Sequence, residues 1–281
     1  MICLNSKIGL VEKKWFIQRR KIMNELEKFY QECHSEIAEM ERNSQLLQQS
    51  QAWMNAANAV KYSYHFSWLG RPIIQFPQDI VAMQELIWSV KPDLIIETGI
   101  AHGGSLIFSA SMLALLDMCD SAETGIQLDP RKSSRHVLGI DIDIRKHNFE
   151  AIKAHPFASR ISMIQGSSTE TSVVEQVRKL AKNYTRILVC LDSNHTHDHV
   201  LAELQAYASL TSVGSYCVIF DTVIEDMPSS MFPNRSWGPG NNPKTAVHAY
   251  LKEHPEFVVD TSIPAKLQLT VAPDGYLRRI G

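Results

Sequence analysis

The chain has 281 residues, of which 44% are hydrophobic and 21% are charged, and its formal net charge is −2. This length suits one large α/β domain with an extension, and the balanced charge argues against nucleic-acid binding by bulk electrostatics. The five scattered cysteines include no Cys-x-x-Cys pair, which argues against a disulfide framework or a zinc knuckle. We find no signal-peptide pattern and no apolar run long enough for a bilayer, so we expect a soluble cytoplasmic protein.

The N-terminal part of the chain has a helical pattern. From Lys13 to about Ala59, apolar residues recur at steps of three and four, with charged residues between them. The stripe consists of Ile22, Leu26, Phe29, Cys33, Ile37 and Met40. A helix packed on the main domain and an oligomerisation arm both fit this pattern, and we expect a homo-oligomer formed through it.

An aromatic-rich segment over residues 61–77 follows, and Gly70, Pro72 and Pro77 interrupt it. These residues predict irregular structure. The aromatic side chains either pack the segment down or form one wall of a substrate site. On the second interpretation, the candidate substrate contacts are Tyr62, Tyr64, His65 and Gln75. We therefore treat residues 1–75 as an N-terminal helical extension with a substrate-side segment, and residues 76–281 as the main domain.

Strands alternate with helices through the main domain. Helices are predicted over residues 78–90, 105–117, 145–154, 170–182, 197–210 and 244–252. Strands are predicted over residues 94–97, 137–143, 161–165, 186–192, 216–221, 257–261 and 267–272, with the last two antiparallel and residues 120–136 as a loop insertion. This order predicts an α/β fold with a doubly wound, mostly parallel sheet of seven strands.

The first strand of this sheet leads into a glycine turn and the start of a helix. Such a layout is typical of a nucleotide-type pocket at the carboxyl end of a parallel strand. The spacing is not that of the dinucleotide motif, because an acid, Glu97, precedes the glycines. A carboxylate there suits a ligand with a cationic group and hydroxyls. The candidate cofactor contacts are Glu97, Gly99, Ala101, Gly103 and Ser105, the last of which can also cap the helix.

Polar residues end the second and third strands as well. Asp141 stands where a carboxylate can bind a ribose diol, whereas Asp143 better suits helix capping. Ile142, between them, is a further candidate cofactor contact. Ser167 and Ser168 follow the third strand, where they either lie beside an adenine or cap the next helix; both roles remain open.

The densest polar cluster covers residues 192–199, directly after the fourth strand. Asp192 is a further candidate cofactor contact and also suits a hard divalent cation such as Mg²⁺, and Asp221 at the neighbouring strand tip can complete the metal site. His195 can reach the same cavity as a general base, whereas we expect His199 to lie on the surface. Together, Asp192 and His195 predict the deprotonation of a hydroxyl beside a metal ion.

Six sequence motifs resemble those of the cephalosporin hydroxylase/rhamnosyl O-methyltransferase family. They are IETGIAHGGS (96–105), GIDIDIR (139–145), QGSS (165–168), LDSNHTHDHVLAEL (191–204), FDTVIEDMP (220–228) and GPGNNPKTAV (238–247). The resemblance implies a class I methyltransferase fold with S-adenosylmethionine as cofactor. It also implies a divalent metal held by Asp192 and by the acids after the fifth strand, with His195 as the base. The implied acceptor is a hydroxyl of a sugar, a glycan, or a glycosylated or polyketide-like natural product.

One position departs from the pattern of related macrolide sugar O-methyltransferases, whose fifth strand ends in a Glu-Asp pair. Here the pair is Phe220-Asp221. Glu225 and Asp226 are therefore candidate metal ligands that would supply the missing carboxylate. The sequence leaves open which of the three acids complete the site.

The long loop over residues 223–243 carries Trp237, a candidate substrate contact, and we interpret the loop as a lid with Gly238 and Gly240 as hinges.

The sequence also leaves room for two functions other than methyl transfer. A metal-dependent oxygenase would use the histidines and a carboxylate as an iron triad. A non-catalytic partner subunit would keep the fold and bind only the cofactor, and the presence of Phe220 favours it.

Overall fold

A computed structural model of the chain describes residues 24–281. The chain divides into two units, Met1–Gln48, described from residue 24 onward, and Gln49–Gly281. A helix over residues 24–42, α1, occupies most of the first described part, and a second helix, α2, spans Ser44–Ala59. The break at Asn43 is capped, because its side-chain oxygen accepts a hydrogen bond of 3.1 Å from the Leu46 amide. The predicted helices are confirmed here, whereas the expectations for residues 13–23 lie outside the described residues.

The second unit contains two sheets and seven more α-helices after α2. The helices are α3 (Pro77–Val90), α4 (Gly104–Thr124), α5 (Lys146–Ala154), α6 (Thr171–Ala181), α7 (His197–Tyr207), α8 (Pro243–Leu251) and α9 (Ser262–Leu267). A two-stranded hairpin consists of β1 (Phe66–Trp68) and β2 (Arg71–Ile73). The large sheet consists of β3 (Leu94–Thr98), β4 (His136–Asp141), β5 (Ile161–Gln165), β6 (Ile187–Leu191), β7 (Tyr216–Ile219), β8 (Phe257–Val259) and β9 (Tyr276–Arg279).

The large sheet has the strand order β5-β4-β3-β6-β7-β9-β8. Its first five members are parallel, and β9 runs antiparallel to both of its neighbours. The order reverses direction at β3, so the carboxyl ends of β3, β4 and β6 meet at one edge beside a crevice. This topology confirms the predicted doubly wound fold and determines where a ligand can bind.

Helices cover both faces of the sheet, which therefore has two hydrophobic cores. On one face α3 and α4 contribute Ile87, Phe108 and Leu113, which pack against strand residues such as Ile95. On the other face α6, α7 and α8 contribute Val177, Leu204 and Val247, which pack against Ile96 and Val189. Within the described part of the chain, α4 is long and apolar enough to cross a membrane by length and composition, but it packs here as a core helix.

The hairpin β1–β2 belongs to the second unit, so the division between units falls at Gln48 and not at the expected residue 75. The Trp68 indole N–H donates a 3.0 Å hydrogen bond to the Ser111 hydroxyl of α4. The same indole lies edge-on to Phe108, with 4.9 Å between ring centroids. These contacts attach the aromatic-rich segment to the sheet and bring it to the site.

The prediction of a last strand over residues 267–272 is wrong, and the final strand is β9 instead. The buried carboxylate of Asp79 accepts hydrogen bonds from the Val271 amide (3.0 Å), the Tyr276 hydroxyl (2.8 Å) and the Thr270 hydroxyl. Gln268 also takes a left-handed conformation (φ 59°) that interrupts an extended backbone. The apolar alternation that suggested a strand reflects side chains packed into the core, including Val271.

Candidate active site

The glycine turn after β3 passes directly against the loop after β6. Gly99 has a φ of +88°, and a Cβ added there would lie 1.9 Å from the backbone oxygen of Asp192. Any side chain at residue 99 would therefore force two segments of the site apart. The close approach places the turn and the Asp192 loop in the walls of the same crevice.

Glu97 ends β3 behind this turn, and its side chain is buried. Its carboxylate accepts a hydrogen bond from the Ser105 hydroxyl. Among the described residues, the Ser105 side chain forms no other hydrogen bond. Ser105 does not cap α4 as proposed, because the helix already begins at Gly104 with Gly103 in the capping position. Burial raises the pKa of Glu97 to about 7, so this acid can change its charge when a cationic group arrives.

A cavity of about 160 Å³ lies at the carboxyl ends of β3, β4 and β5. It is lined by Gly99, Ile140, Asp141, Ile142, Ser167, Ser168, Ser193, Asn194 and His199. The structure therefore brings together five of the predicted cofactor contacts, namely Gly99, Asp141, Ile142, Ser167 and Ser168. Asp141 forms its floor, because its carboxylate accepts hydrogen bonds from the amides of Ile100 (2.8 Å), Ala101 (3.3 Å) and Asp143 (2.9 Å). Gly103 does not line it and instead packs against Ile152.

His199 is not the surface residue that was predicted. Its Nε2 lies 3.1 Å from the hydroxyls of both Ser168 and Ser193, and 3.5 Å from Oε1 of Glu203. Glu203 is fully buried and also accepts a 2.7 Å hydrogen bond from Ser193. The His199 and Glu203 pair therefore connects the loop after β5 to the loop after β6. Their spacing of four residues on one helix was the available signal.

A larger cavity of about 490 Å³ adjoins the first and contains the predicted metal site. Asp192, His195 and Asp221 each direct a possible ligand atom to a common point, with these atoms within 4.8 Å of one another. Nε2 of His195 lies 3.3 Å from Oδ2 of Asp221. The parallel pairing of β6 with β7 explains this geometry, because it sets the two strand tips side by side. The prediction that these three residues meet is confirmed.

Negative charge accumulates around Asp192. Burial raises the pKa of its carboxyl well above the usual value, and the neighbouring acids Asp221, Glu97 and Glu203 raise it further. Such a group favours a cation as its partner, because an unpaired buried carboxylate is costly. Asp221 also has a left-handed backbone (φ 57°), a conformation that concentrates at functional sites.

Glu225 and Asp226 do not join this cluster. Glu225 accepts hydrogen bonds from the Gly240 amide (2.7 Å) and from the Asn242 side chain. These bonds lower the pKa of Glu225, with the Gly240 bond as the largest cause. Asp226 is paired with Lys244 at 2.6 Å. The two acids therefore hold the loop after β7 in place, and this geometry does not support them as metal ligands.

Phe220 fills the position at which related enzymes were expected to carry a glutamate. Its side chain is buried in the core of the sheet while also lining the larger cavity. The described cluster is consequently built from two carboxylates, those of Asp192 and Asp221. No further acid joins them in the part of the chain from residue 24 onward.

Three of the five predicted substrate contacts line the larger cavity, namely Tyr64, Gln75 and Trp237. The Trp237 ring stands edge-on to His195, with 5.0 Å between centroids and 82° between planes. The other two predictions are not supported. Tyr62 packs against Trp53, at 5.1 Å, within an aromatic cluster, and His65 is exposed outside the cavity lining.

The loop after β7 is an ordered wall of this cavity. Two short 3₁₀ helices, Thr222–Asp226 and Ser229–Met231, shape its first half. Mutual backbone hydrogen bonds between Gly238 and Asn241, of 3.0 and 3.1 Å, close its tip. Sequence reasoning missed the side chains it directs inward, which are Met227, Met231, Phe232 and Arg235. The sequence shows that these four side chains are apolar or cationic. It does not show that they point into the cavity, because the path of the loop depends on the contacts of Glu225.

We compared the chain with known protein families, curated proteins and solved structures. The model of the Rhamnosyl O-methyltransferase/CmcI family matches residues 60–280. This chain belongs to that family. It is consequently an S-adenosylmethionine-dependent O-methyltransferase, and the oxygenase interpretation is set aside.

Members of the Rhamnosyl O-methyltransferase/CmcI family with curated names support the assignment. A rhamnosyl O-methyltransferase of Mycobacterium tuberculosis is 31% identical over 206 residues, which are 72% of this chain and 73% of the relative. That of Mycobacterium leprae is 28% identical over 215 residues, covering 76% and 82%. A solved CmcI structure, described as a Mg-SAM form, is 19% identical with a TM-score of 0.50 and covers 78% of both chains. This last likeness concerns the fold, and it confirms the class I methyltransferase architecture.

Proposed function

We propose that this enzyme transfers a methyl group from S-adenosylmethionine to a hydroxyl of a sugar and requires a divalent cation to do so. The observation that carries the proposal is the convergence of Asp192, His195 and Asp221 on one point beside the glycine turn. The smaller cavity suits the nucleoside of the donor, and the larger one suits the acceptor. Gly99 and Ser193 line both cavities, which makes transfer between them possible.

The residues present fit a divalent cation such as Mg²⁺. Asp192 and Asp221 offer hard oxygen ligands, and Mg²⁺ commonly takes one or two carboxylates together with water and substrate oxygens. Burial and then the neighbouring acids raise the pKa of Asp192, and a cation would offset both effects by favouring the charged carboxylate. When bound, the cation would lower the pKa of an acceptor hydroxyl.

His195 is placed to receive the proton of that hydroxyl at Nε2. Asp221, at 3.3 Å from Nε2, stabilises the imidazolium that results, and Trp237 holds the ring from its edge. The acceptor oxygen then forms a bond to the methyl carbon as the bond from carbon to the sulfonium sulfur breaks. The products are the methyl ether, S-adenosylhomocysteine and a proton on His195. Positioning of the two reactants supplies much of the acceleration.

A sugar acceptor is supported by the cavity and by the names of the relatives. The relatives are rhamnosyl O-methyltransferases, and the cavity presents two aromatic side chains, Tyr64 and Trp237, with the amide of Gln75. Aromatic faces and amide groups suit a sugar ring with its hydroxyls. A glycan or a glycosylated natural product would present the same chemistry. We propose that the reaction takes place in the cytoplasm.

Methyl transfer from labelled S-adenosylmethionine into a set of rhamnosyl and other glycosyl acceptors tests the function. We expect transfer with Mg²⁺ by the unaltered enzyme and a loss of about 10²–10⁴-fold in kcat for His195→Gln. The variant His248→Gln, changed at an exposed histidine remote from the cavity lining, serves as the control. Absence of transfer into any sugar by the unaltered enzyme, despite donor binding, would contradict the proposal.

A further inference from the structure

The larger cavity is lined by two cationic side chains for which residues 24–281 supply no counter-ion. They are Lys61, on the segment that precedes β1, and Arg235, on the loop after β7. Neither forms an ion pair or a side-chain hydrogen bond with any described residue. The nearest interactions of each are with aromatic rings, Tyr64 at 5.9 Å for Lys61 and Trp237 at 4.9 Å for Arg235.

The two cations lie at the rim of the cavity, whereas the acids lie deeper. Lys61 and Arg235 are exposed, and Asp192 and Asp221 are partly covered. Apolar side chains of the loop after β7, such as Met231 and Phe232, line the same cavity. The cavity thus presents an acidic region for the metal and the reacting hydroxyl, and a basic region at its entrance.

Charge balance shows what the basic region would meet. When bound, a divalent cation would neutralise the two carboxylates of Asp192 and Asp221. The ammonium and the carboxylate of the donor would cancel each other, which would leave the positive charge of the sulfonium. The lining that remains for the acceptor then carries the positive charges of Lys61 and Arg235. An acceptor with a dianionic group would neutralise them, whereas a neutral glycoside would leave both without a partner.

Arg235 is also at a suitable distance from the reacting centre. Its guanidinium lies 4.9 Å from the Trp237 ring centroid, which lies 5.0 Å from the His195 ring centroid. The guanidinium and the imidazole are therefore within about 10 Å of each other, a span that a single sugar ring with an anomeric phosphate can bridge. Arginine binds phosphate through parallel hydrogen bonds, and stacking on Trp237 leaves its N–H groups available.

The backbone of Lys61 supports a functional role for this residue. Its φ of 56° lies in the left-handed region, which a side chain with a Cβ adopts at a cost of about 1 kcal/mol or more. Ala101 and Asp221, which also have positive φ values, line the same cavity. Three of the seven non-glycine residues with positive φ in the described part of the chain therefore line this cavity.

We propose that the acceptor is a glycosyl phosphate or diphosphate, with the phosphate bound by Arg235 and Lys61 and the sugar hydroxyl beside His195. This inference rests on the proposed sugar O-methyltransferase function and names its substrate class. It implies that the methyl group is added before the sugar is transferred from its phosphate, so that a glycosyl-transfer reaction consumes the product.

The test compares matched probes that differ in charge. Initial rates are measured with rhamnose 1-phosphate, a nucleoside diphosphate rhamnose and neutral methyl rhamnoside, with Mg²⁺ in fixed excess. We expect KM to be about tenfold or more lower for the phosphorylated probes, because charge-assisted hydrogen bonds contribute at that level. The preference should weaken as salt is raised, because both cations are exposed.

Substitutions then assign the preference to the two cations. Arg235→Gln and Lys61→Gln should each raise KM for the phosphorylated probes about tenfold, and more than they raise KM for the neutral probe. Arg131→Gln and Lys132→Gln, at exposed positions outside the cavity lining, are the matched controls. Donor affinity, measured by calorimetry, should not change in any variant, which separates loss of phosphate binding from loss of structure.

The outcomes separate this inference from the proposed function. Equal KM values for charged and neutral probes, or a preference that survives both substitutions, would overturn the phosphate site while leaving the sugar methyltransferase intact. Transfer into neutral rhamnosides alone would do the same. Absence of transfer into every sugar would overturn the proposed function, and the phosphate site with it.

Discussion

Two acidic residues near the smaller cavity, Glu97 and Asp141, lie in different surroundings. Glu97 is buried behind the glycine turn with one hydroxyl partner, Ser105, and its pKa is raised to about 7 by burial. Asp141 instead accepts three backbone hydrogen bonds at the floor of the neighbouring cavity. One acid is thus free to respond to a ligand, and the other is already oriented for it.

The raised pKa of Glu97 predicts a pH dependence of donor binding. Above about pH 7 the carboxylate is ionised and, in the proposed donor site, would attract the ammonium of S-adenosylmethionine, whereas protonation below this value would remove the attraction. We therefore expect donor affinity to fall by up to about tenfold per pH unit below about pH 7. Calorimetric titrations over this range provide the measurement. Glu97→Gln should bind weakly without this slope, and a variant that retained the slope would assign it to another group.

His199 predicts a second effect on the donor alone. Because it bonds to Ser168 and Ser193 beside the smaller cavity, we expect His199→Ala to raise KM for S-adenosylmethionine about tenfold. The metal concentration that gives half-maximal rate should stay the same. His248→Ala, at an exposed position, is the matched control. A change in metal dependence without a change in donor KM would show that His199 acts on the other cavity.

At the scale of elements, the turn after β3 holds the site together. Gly99 meets the backbone of Asp192, and Gly104 at the start of α4 meets that of Pro72 before Ile73. The turn therefore contacts both the metal-side loop and the hairpin that carries the acceptor wall. A side chain added at Gly99 or Gly104 would clash with backbone atoms and would force the neighbouring segment to move.

Gly99→Ala measures how tightly these elements fit. The substitution combines a positive φ with a clash against backbone, so we expect loss of donor binding together with a marked fall in melting temperature. Gly70→Ala is the matched control, because Gly70 has a similar φ of +85° but open space around it. It should cost about 1 kcal/mol from backbone strain alone. Equal effects of the two substitutions would disprove the close approach.

The elements also show which features the sequence could predict. The apolar runs at β6 and β7 have strong local signals, and the polar residues directly after them are Asp192, His195 and Asp221. Residues 267–272 have a similar apolar alternation, but Asp79, far away in the chain, binds their backbone and hydroxyl groups. The roles of Glu225 and Asp226 likewise depend on Gly240, Asn242 and Lys244. Long-range side-chain contacts of this kind leave no periodic pattern in a sequence.

At the scale of the whole molecule, the two cavities share two of the loops at the carboxyl edge of one sheet. The loops after β4 and β5 line only the smaller cavity and the loop after β7 lines only the larger one, whereas the loops after β3 and β6 line both. The N-terminal unit has a feature of its own. Within it, α1 has an apolar stripe in which Leu26, Phe29 and Tyr30 are exposed.

We propose that this stripe joins copies of the chain in solution. An exposed apolar stripe along a helix is typical of an association surface. Phe29→Glu should lower the average mass measured by sedimentation, because it places a charge within the stripe. Gln31→Glu, which adds the same charge at an exposed position next to it, should not. A monomeric mass for the unaltered chain would contradict the proposal.

We propose above all that sugar O-methylation by this enzyme depends on a divalent cation held by Asp192 and Asp221. The most direct measurement is the rate of labelled methyl transfer by metal-depleted enzyme as Mg²⁺ is added back, in the unaltered chain and in Asp221→Asn. We expect negligible transfer without metal, recovery on addition, and a large rise in the Mg²⁺ concentration needed by the variant. Full transfer by the metal-depleted enzyme, or the same Mg²⁺ dependence in both proteins, would contradict it.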